Sequence, residues 1–123
     1  MQGLHLTADL TGCAPGRPVM VDPEALRGAC LAAVRQAGLQ PVGELFHRFP
    51  APGGVTGVVL LAESHLAVHT WPELAAVTLD VYVCNLGADN SARAEGLLAA
   101  LQALFAPAAA QIHRLLRGSP GEA

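Results

Sequence analysis

Ala76-Val77-Thr78-Leu79-Asp80-Val81-Tyr82-Val83-Cys84 alternates without a break, setting Val77, Leu79, Val81 and Val83 against Thr78, Asp80, Tyr82 and Cys84. A period of two marks a β-strand with one face on a core and the other left polar. Leu4, Leu6, Ala8 and Leu10 alternate in the same way with His5, Thr7 and Asp9, which predicts a first strand over residues 3–10. Between these two lie three further extended segments. Residues 41–49 end in Phe46-His47-Arg48-Phe49. Residues 55–62 are apolar almost throughout and read as a strand buried on both sides or lying at an interface. Residues 65–71 are closed by Pro72. The turn Pro50-Ala51-Pro52-Gly53-Gly54 separates the first two, and a last strand is expected at about 109–116.

Two segments carry a helical period instead. Asp22 followed by Pro23 is an N-cap with proline in the first helical position. It opens a helix to about Ala37, with Leu26, Cys30, Ala33 and Val34 on one stripe and Gly38 as the stop. Asn90 or Ser91 can cap a second helix through Phe105, carrying Leu97, Leu98, Leu101 and Leu104 ahead of Pro107. The order β-α-β-β-β-β-α-β predicts a two-layer α/β sandwich, a mostly antiparallel sheet with two helices on one face. A chain of 123 residues fits one domain with one core. The polar tail from Gly118 to Ala123 reads as disordered.

Composition narrows the function classes. The hydrophobic fraction is 52%, above the usual share, yet no run approaches the roughly 18 apolar residues of a membrane span. The first residues carry no basic segment followed by an apolar run, so no secretory signal is expected. The surplus apolar surface is expected to cover a subunit interface, a symmetric dimer being the simplest form. Net charge is −3, with no basic face for nucleic acid. Cys13, Cys30 and Cys84 are odd in number and widely spaced, which fits a reducing cytoplasm better than a disulfide framework. All seven cations are arginines. Without a lysine the chain cannot hold pyridoxal phosphate through a Schiff base, so any amine–carbonyl chemistry needs another electrophile.

The polar residues concentrate in Glu63-Ser64-His65-Leu66-Ala67-Val68-His69-Thr70-Trp71-Pro72, followed by Glu73. Such groups are costly to place among apolar strands. Singly, each has a structural reading: Ser64 as a loop serine, Trp71 and Cys84 as packing, Glu73 as a solvated turn residue. His65 and His69 share one strand face, but no third ligand stands at a suitable spacing, so no metal is expected. Together, residues 54–73 resemble the signature of the small prokaryotic S-adenosylmethionine decarboxylases, which depend on a pyruvoyl group. Phe46-His47-Arg48-Phe49 upstream, the acidic strand ending in Cys84, the pair Gly3 and His5, and Gly12-Cys13 match in order and spacing.

The resemblance implies a proenzyme that cuts itself at Glu63–Ser64, giving residues 1–63 and 64–123. In it the Ser64 hydroxyl attacks the Glu63 carbonyl, Thr56 donates to the resulting oxyanion, and His69 is the base that removes the Ser64 α-proton. Ser64 becomes the pyruvoyl group, the one cofactor implied, which forms a Schiff base with the substrate amine in place of pyridoxal phosphate. Cys84 then returns a proton, Phe49 stacks on the adenine or its neighbour, and Glu73 binds the ribose hydroxyls. The product implied is the aminopropyl donor for spermidine biosynthesis, made by a cytoplasmic homodimer of cleaved αβ units. His5, His47, His113, Cys13 and Cys30 keep structural readings, and Arg48 stands between an ion pair and an interface contact.

Ser64 and His69 pose a geometric problem. Five residues of straight strand span about 16 Å, and an odd separation puts the two side chains on opposite faces. A sharp, strained turn near Glu63–Ser64 is favoured here over a bend or an approach across subunits. The chain also departs from the family pattern. Thr56 stands where serine is common, the turn between Phe49 and Thr56 is one residue longer, Asn85-Leu86-Gly87 follows Cys84 where glycine usually comes directly, and the loop Cys13 to Val21 is slightly longer. Two other readings therefore stay open: the same pyruvoyl machinery acting on ornithine or arginine, and an unprocessed, non-catalytic partner.

Overall fold

The computed structural model describes residues 2–118. In chain order it contains β1 (Gln2–Thr11), α1 (Pro23–Gln36), β2 (Pro41–Arg48), β3 (Val55–Leu61), β4 (Ser64–Trp71), β5 (Ala76–Cys84), α2 (Ser91–Phe105) and β6 (Ala109–Gly118), with 3-10 turns at Pro18–Met20 and Pro72–Leu74. The strands form one sheet in the order β2-β3-β4-β5-β1-β6, and every pairing is antiparallel. The two helices lie against one face of that sheet, α1 over β2 and β3, α2 over β5 and β1. This is the two-layer α/β sandwich that the alternating strands predict. The tail beyond Gly118 lies outside the described residues.

Alternation decides which side of each strand is dry. Leu4, Leu6, Ala8 and Leu10 of β1, Leu66 and Val68 of β4, and Val77, Leu79, Val81 and Val83 of β5 all point into the core. Helix α1 meets them with Leu26, Cys30, Ala33 and Val34, and α2 with Ala94, Leu97, Leu98, Leu101 and Phe105. Asp22 caps α1 by accepting the Glu24 amide at 3.0 Å. Arg27 donates to one Glu44 carboxylate oxygen through two of its nitrogens, at 3.0 and 2.8 Å, tying α1 to β2. Thr70, only 4% exposed, accepts the Val55 amide and donates to the Met20 carbonyl, both at 2.8 Å, so its hydroxyl is satisfied inside the core.

Two local expectations are corrected. Of the two readings of strand β3, burial on both faces is overturned and an interface stays untested by a single chain: Val55, Gly57, Val59 and Leu61 face the core, while Thr56, Val58 and Leu60 face away, with Leu60 half exposed. The reason is that both helices pack on the same side, so among the described residues no strand is covered twice. On the core side the Phe46 ring rests directly on Gly57, where a Cβ would collide with it. The second correction concerns α2. Asn90 occupies the N-cap position but its side chain caps nothing. Asp89 accepts the Ser91 amide at 2.9 Å instead, and that bond holds the Asp89 carboxyl below the ordinary carboxylate range.

The side of the sheet away from the helices is left uncovered. By register it carries His47, Thr56, Val58, Leu60, His65, Ala67, His69, Trp71, Thr78, Asp80, Tyr82, His5, Thr7 and His113. All five histidines of the chain stand on it.

Candidate active site

The polar motif folds as a hairpin. Leu61 pairs with Ser64 across the two-residue turn Ala62–Glu63, and β4 then runs back along β3. Glu63 holds φ at +56°, in the left-handed region, although it is not glycine. Such a residue carries about 1–2 kcal/mol of steric cost, and here the cost falls on the residue before Ser64. Ser64 opens β4, and its Oγ accepts the Cys84 amide at 3.1 Å. Cys84 is buried at the end of β5, with its Sγ accepting the Leu86 amide at 3.4 Å. Glu63, Ser64 and Cys84 therefore come together at one end of β4.

The other end holds the remaining candidates. His69 pairs with Thr56 across the β3–β4 ladder, and Nδ1 lies 3.1 Å from the Thr56 hydroxyl. The imidazole stacks on Trp71, with centroids 5.9 Å apart and planes inclined by 30°. Pro72 cannot continue the ladder, so the chain leaves the sheet in a 3-10 turn that carries Glu73. Phe49 follows the last residue of β2. Thr56, His69, Trp71, Phe49, Pro50 and Glu73 together line a cleft of about 340 Å³.

The two ends do not meet within one chain. Strand β4 is regular from Ser64 to Trp71, so Ser64 and His69 are about 16 Å apart along it and on opposite faces. The strained turn expected near Glu63–Ser64 is present, but it does not bring Ser64 to His69. It reverses β3 into β4 ahead of Ser64, and leaves the stretch from Ser64 to His69 straight.

Other singled-out residues take structural places. Cys13 and Cys30 are buried, and burial pushes both thiols up, Cys30 to about 12. His5 accepts from Arg117 at its Nδ1, 3.4 Å away, with Asp80 3.7 Å from its Nε2. His47 meets the Phe49 ring edge-on at 4.7 Å. Arg48 folds over Gly53 in the turn after β2. Among the described residues no three His, Cys, Asp or Glu side chains converge as metal ligands, and no helix is long and apolar enough to cross a membrane.

A model of the S-adenosylmethionine decarboxylase family matches residues 4–118. The chain belongs to the S-adenosylmethionine decarboxylase family. Among its relatives, the S-adenosylmethionine decarboxylase proenzyme of Pyrococcus furiosus is 38% identical over 104 residues, covering 85% of this chain and 73% of the relative. The proenzyme of Aquifex aeolicus is 45% identical over 83 residues, 68% of this chain and 59% of the relative. The crystal structure of the adenosylmethionine decarboxylase from Aquifex aeolicus superposes with a TM-score of 0.81 at 34% identity, over 95% of this chain and 91% of that one. A Trypanosoma brucei AdoMetDC structure shares the fold at a TM-score of 0.60 and 12% identity, with 89% of this chain matching 44% of that one.

In this family member the sequence motif brought out Ser64, His69, Thr56, Phe49, Glu73 and Cys84, but not the residues that hold Cys84. Asn90 donates from Nδ2 to the Cys84 carbonyl at 3.0 Å, and its amide donates to Asn85 Oδ1 at 2.8 Å. The one available signal was the Asn85-Leu86-Gly87 departure after Cys84. Asn90 itself looked like a helix cap.

Proposed function

We propose that this protein is a self-processing, pyruvoyl-dependent S-adenosylmethionine decarboxylase, and that its reaction centre forms between two copies of the chain. The observation that carries this reading is the division of the motif between the two ends of one strand. Ser64 and Cys84 lie at one end, and Thr56, His69, Phe49 and Glu73 at the other. If two copies lay their uncovered sheet faces together about a two-fold axis, the sheet end that holds Cys84 and the Glu63–Ser64 turn of each copy would stand against the partner's Thr56–His69 end, and Ser64 Oγ, which starts on the helix side of β4, would come round the open end of the sheet to reach it. The dimer then contains two complete centres, and the apolar Val58, Leu60 and Ala67 are covered. Isologous contacts of this kind close without leaving free edges.

In that arrangement Ser64 Oγ attacks the Glu63 carbonyl carbon. Relief of the left-handed strain at Glu63 favours the step. A hydroxyl such as that of Thr56 stabilises the developing oxyanion. The imidazole of His69, oriented by Thr56 and by the Trp71 ring, is the base that removes the Ser64 α-proton. Collapse of the adduct breaks the Glu63–Ser64 C–N bond and leaves an ester. Loss of the α-proton then expels the Glu63 carboxylate by β-elimination, and hydrolysis of the dehydroalanine left at position 64 releases ammonia, so residues 1–63 and a pyruvoyl-headed 64–123 result.

The residues present fit a pyruvoyl group derived from Ser64. It follows a strained residue, its side chain is held by the Cys84 amide, and the chain has no lysine for pyridoxal phosphate. Once formed, the group supplies a carbonyl that accepts the electron pair released with CO2. Cys84 stands on the neighbouring strand to deliver a proton. Phe49 presents an aromatic face suited to an adenine or a sulfonium cation, and the Glu73 carboxylate can accept from two ribose hydroxyls. An aromatic face and a diol-binding carboxylate in one cleft favour a nucleoside substrate over ornithine or arginine, and the product is an aminopropyl donor for spermidine synthesis. The dimer of cleaved units is a cytoplasmic enzyme that needs no metal.

Intact mass of freshly made protein tests the processing, with two half-chains expected and Ser64→Ala remaining a single full-length species. Release of CO2 from carboxyl-labelled S-adenosylmethionine, ornithine and arginine tests the substrate. A full-length species that persists with Ser64 intact overturns the reading.

A further inference from the structure

We infer that Asn90, braced by Asn85, is a positioning residue for the Ser64–Cys84 end of the site; the inference rests on the function proposed above. Pairing of β4 with β5 ends at His65–Tyr82. Beyond that pair the Cys84 amide donates to Ser64 Oγ, so the place of the hydroxyl depends on the Cys84 peptide. That peptide is held from the far side by Asn90, whose Nδ2 donates to the Cys84 carbonyl at 3.0 Å.

Asn90 occupies the position where an asparagine side chain normally caps a helix, yet it caps nothing and Asp89 takes the Ser91 amide instead. Its groups are all engaged elsewhere. Oδ1 accepts from Arg93 at 2.9 Å, and the backbone amide donates to Asn85 Oδ1 at 2.8 Å. Asn85 is itself fixed, its amide donating to the Gln2 carbonyl at 2.8 Å and its Nδ2 to Ser91 Oγ at 3.2 Å. The loop so closed places the Leu86 amide on Cys84 Sγ. One clasp thus orients the hydroxyl that breaks the chain and the thiol that acts afterwards. Displacing a reacting group by about 1 Å can cost on the order of 100-fold in rate.

The test uses Asn90→Ser in the full chain. Serine retains the capping ability of a helix N-terminus but is too short to reach the Cys84 carbonyl. A purely structural cap therefore predicts a silent change, and positioning predicts a defect. Two readouts are taken: the half-time of self-cleavage by intact mass, and, in the uncleavable Ser64→Ala background, the rate at which iodoacetamide labels Cys84, located by peptide mass. Asn90→Ser is expected to cleave at least about 10-fold more slowly and to label Cys84 several-fold faster. Arg93→Ala, an exposed change that frees Asn90 Oδ1, moves both in the same direction by about 2- to 3-fold and keeps the question open to test if Asn90→Ser does not fold. Wild-type cleavage and labelling in the variants overturn the inference. Should the parent protein never cleave, the function proposed above fails, while the labelling comparison still decides whether the clasp exists.

Discussion

Glu63 holds a backbone conformation that an L-residue adopts at a cost of about 1–2 kcal/mol. Glycine bears no such cost, although it loses more entropy on folding. Glu63→Gly in a Ser64→Ala background is therefore expected to stabilise the chain by about 0.5–1 kcal/mol net, read from urea unfolding. With Ser64 intact, the same change is expected to slow the appearance of half-chains, because the strain it removes assists the bond to break. Cys30 offers a pH-dependent counterpart in the core. Its folded thiol is raised by burial from 9.0 to about 12, so it contributes stability fully below pH 9. That contribution is lost as pH rises from 9 toward 12, where the unfolded thiol ionises and the folded one does not. Thermal midpoints measured from pH 8 to 11 should fall more steeply for the parent than for Cys30→Ala. A parallel decline would refute the assignment.

Elements were legible in the sequence to the degree that their signals were periodic. The alternation in β1 and β5 and the stripe of α1 each reflect one buried face, and a buried face repeats every second residue in a strand or about every 3.6 in a helix. The start of α2 was less legible, because Asn, Asp and Ser are all competent caps and residues 89–91 contain one of each. Only the tertiary contact with Cys84 drew Asn90 away and left the cap to Asp89. Hydrogen bonding to Ser91 lowers the Asp89 carboxyl, so its support for α2 is present above pH 3.8 and fades as pH falls through the lowered folded value. Asp89→Ala should speed amide exchange in the first turn of α2 at pH 7. The difference from the parent should shrink below pH 3.8, and a difference that persists at pH 2.5 would point to another cause.

At the scale of the whole molecule, the uncovered sheet face is where the proposed dimer makes its most direct claim. Ala67 lies near the middle of that face, between Val58 and Asp80 in register and on the side away from the helices. Ala67→Glu adds a charge there on the side away from the core, two residues from His69 on the same face, so Ala67→Gln, which has nearly the same size without the charge, is measured beside it and is expected to stay closer to the parent. The expected result for Ala67→Glu is a monomer by sedimentation, with a β-sheet circular dichroism spectrum like the parent's and self-cleavage reduced at least about 100-fold, since each half-site loses its complement. A monomeric Ala67→Glu that cleaves normally would show that one chain suffices.

Local residue order was enough to establish the sandwich, because strand alternation and helix stripes are properties of the chain taken in order, while the candidate reactive groups came from the resemblance of residues 54–73 to the family signature. It was also enough to show that Ser64 and His69 cannot meet along a straight strand. Which escape the chain takes was a tertiary matter. Register pairing fixes the turn ahead of Ser64 and keeps β4 straight through His69, while both helices pack on one side and leave the other face open. Both outcomes depend on contacts between residues far apart in sequence, which periodicity along the chain does not encode.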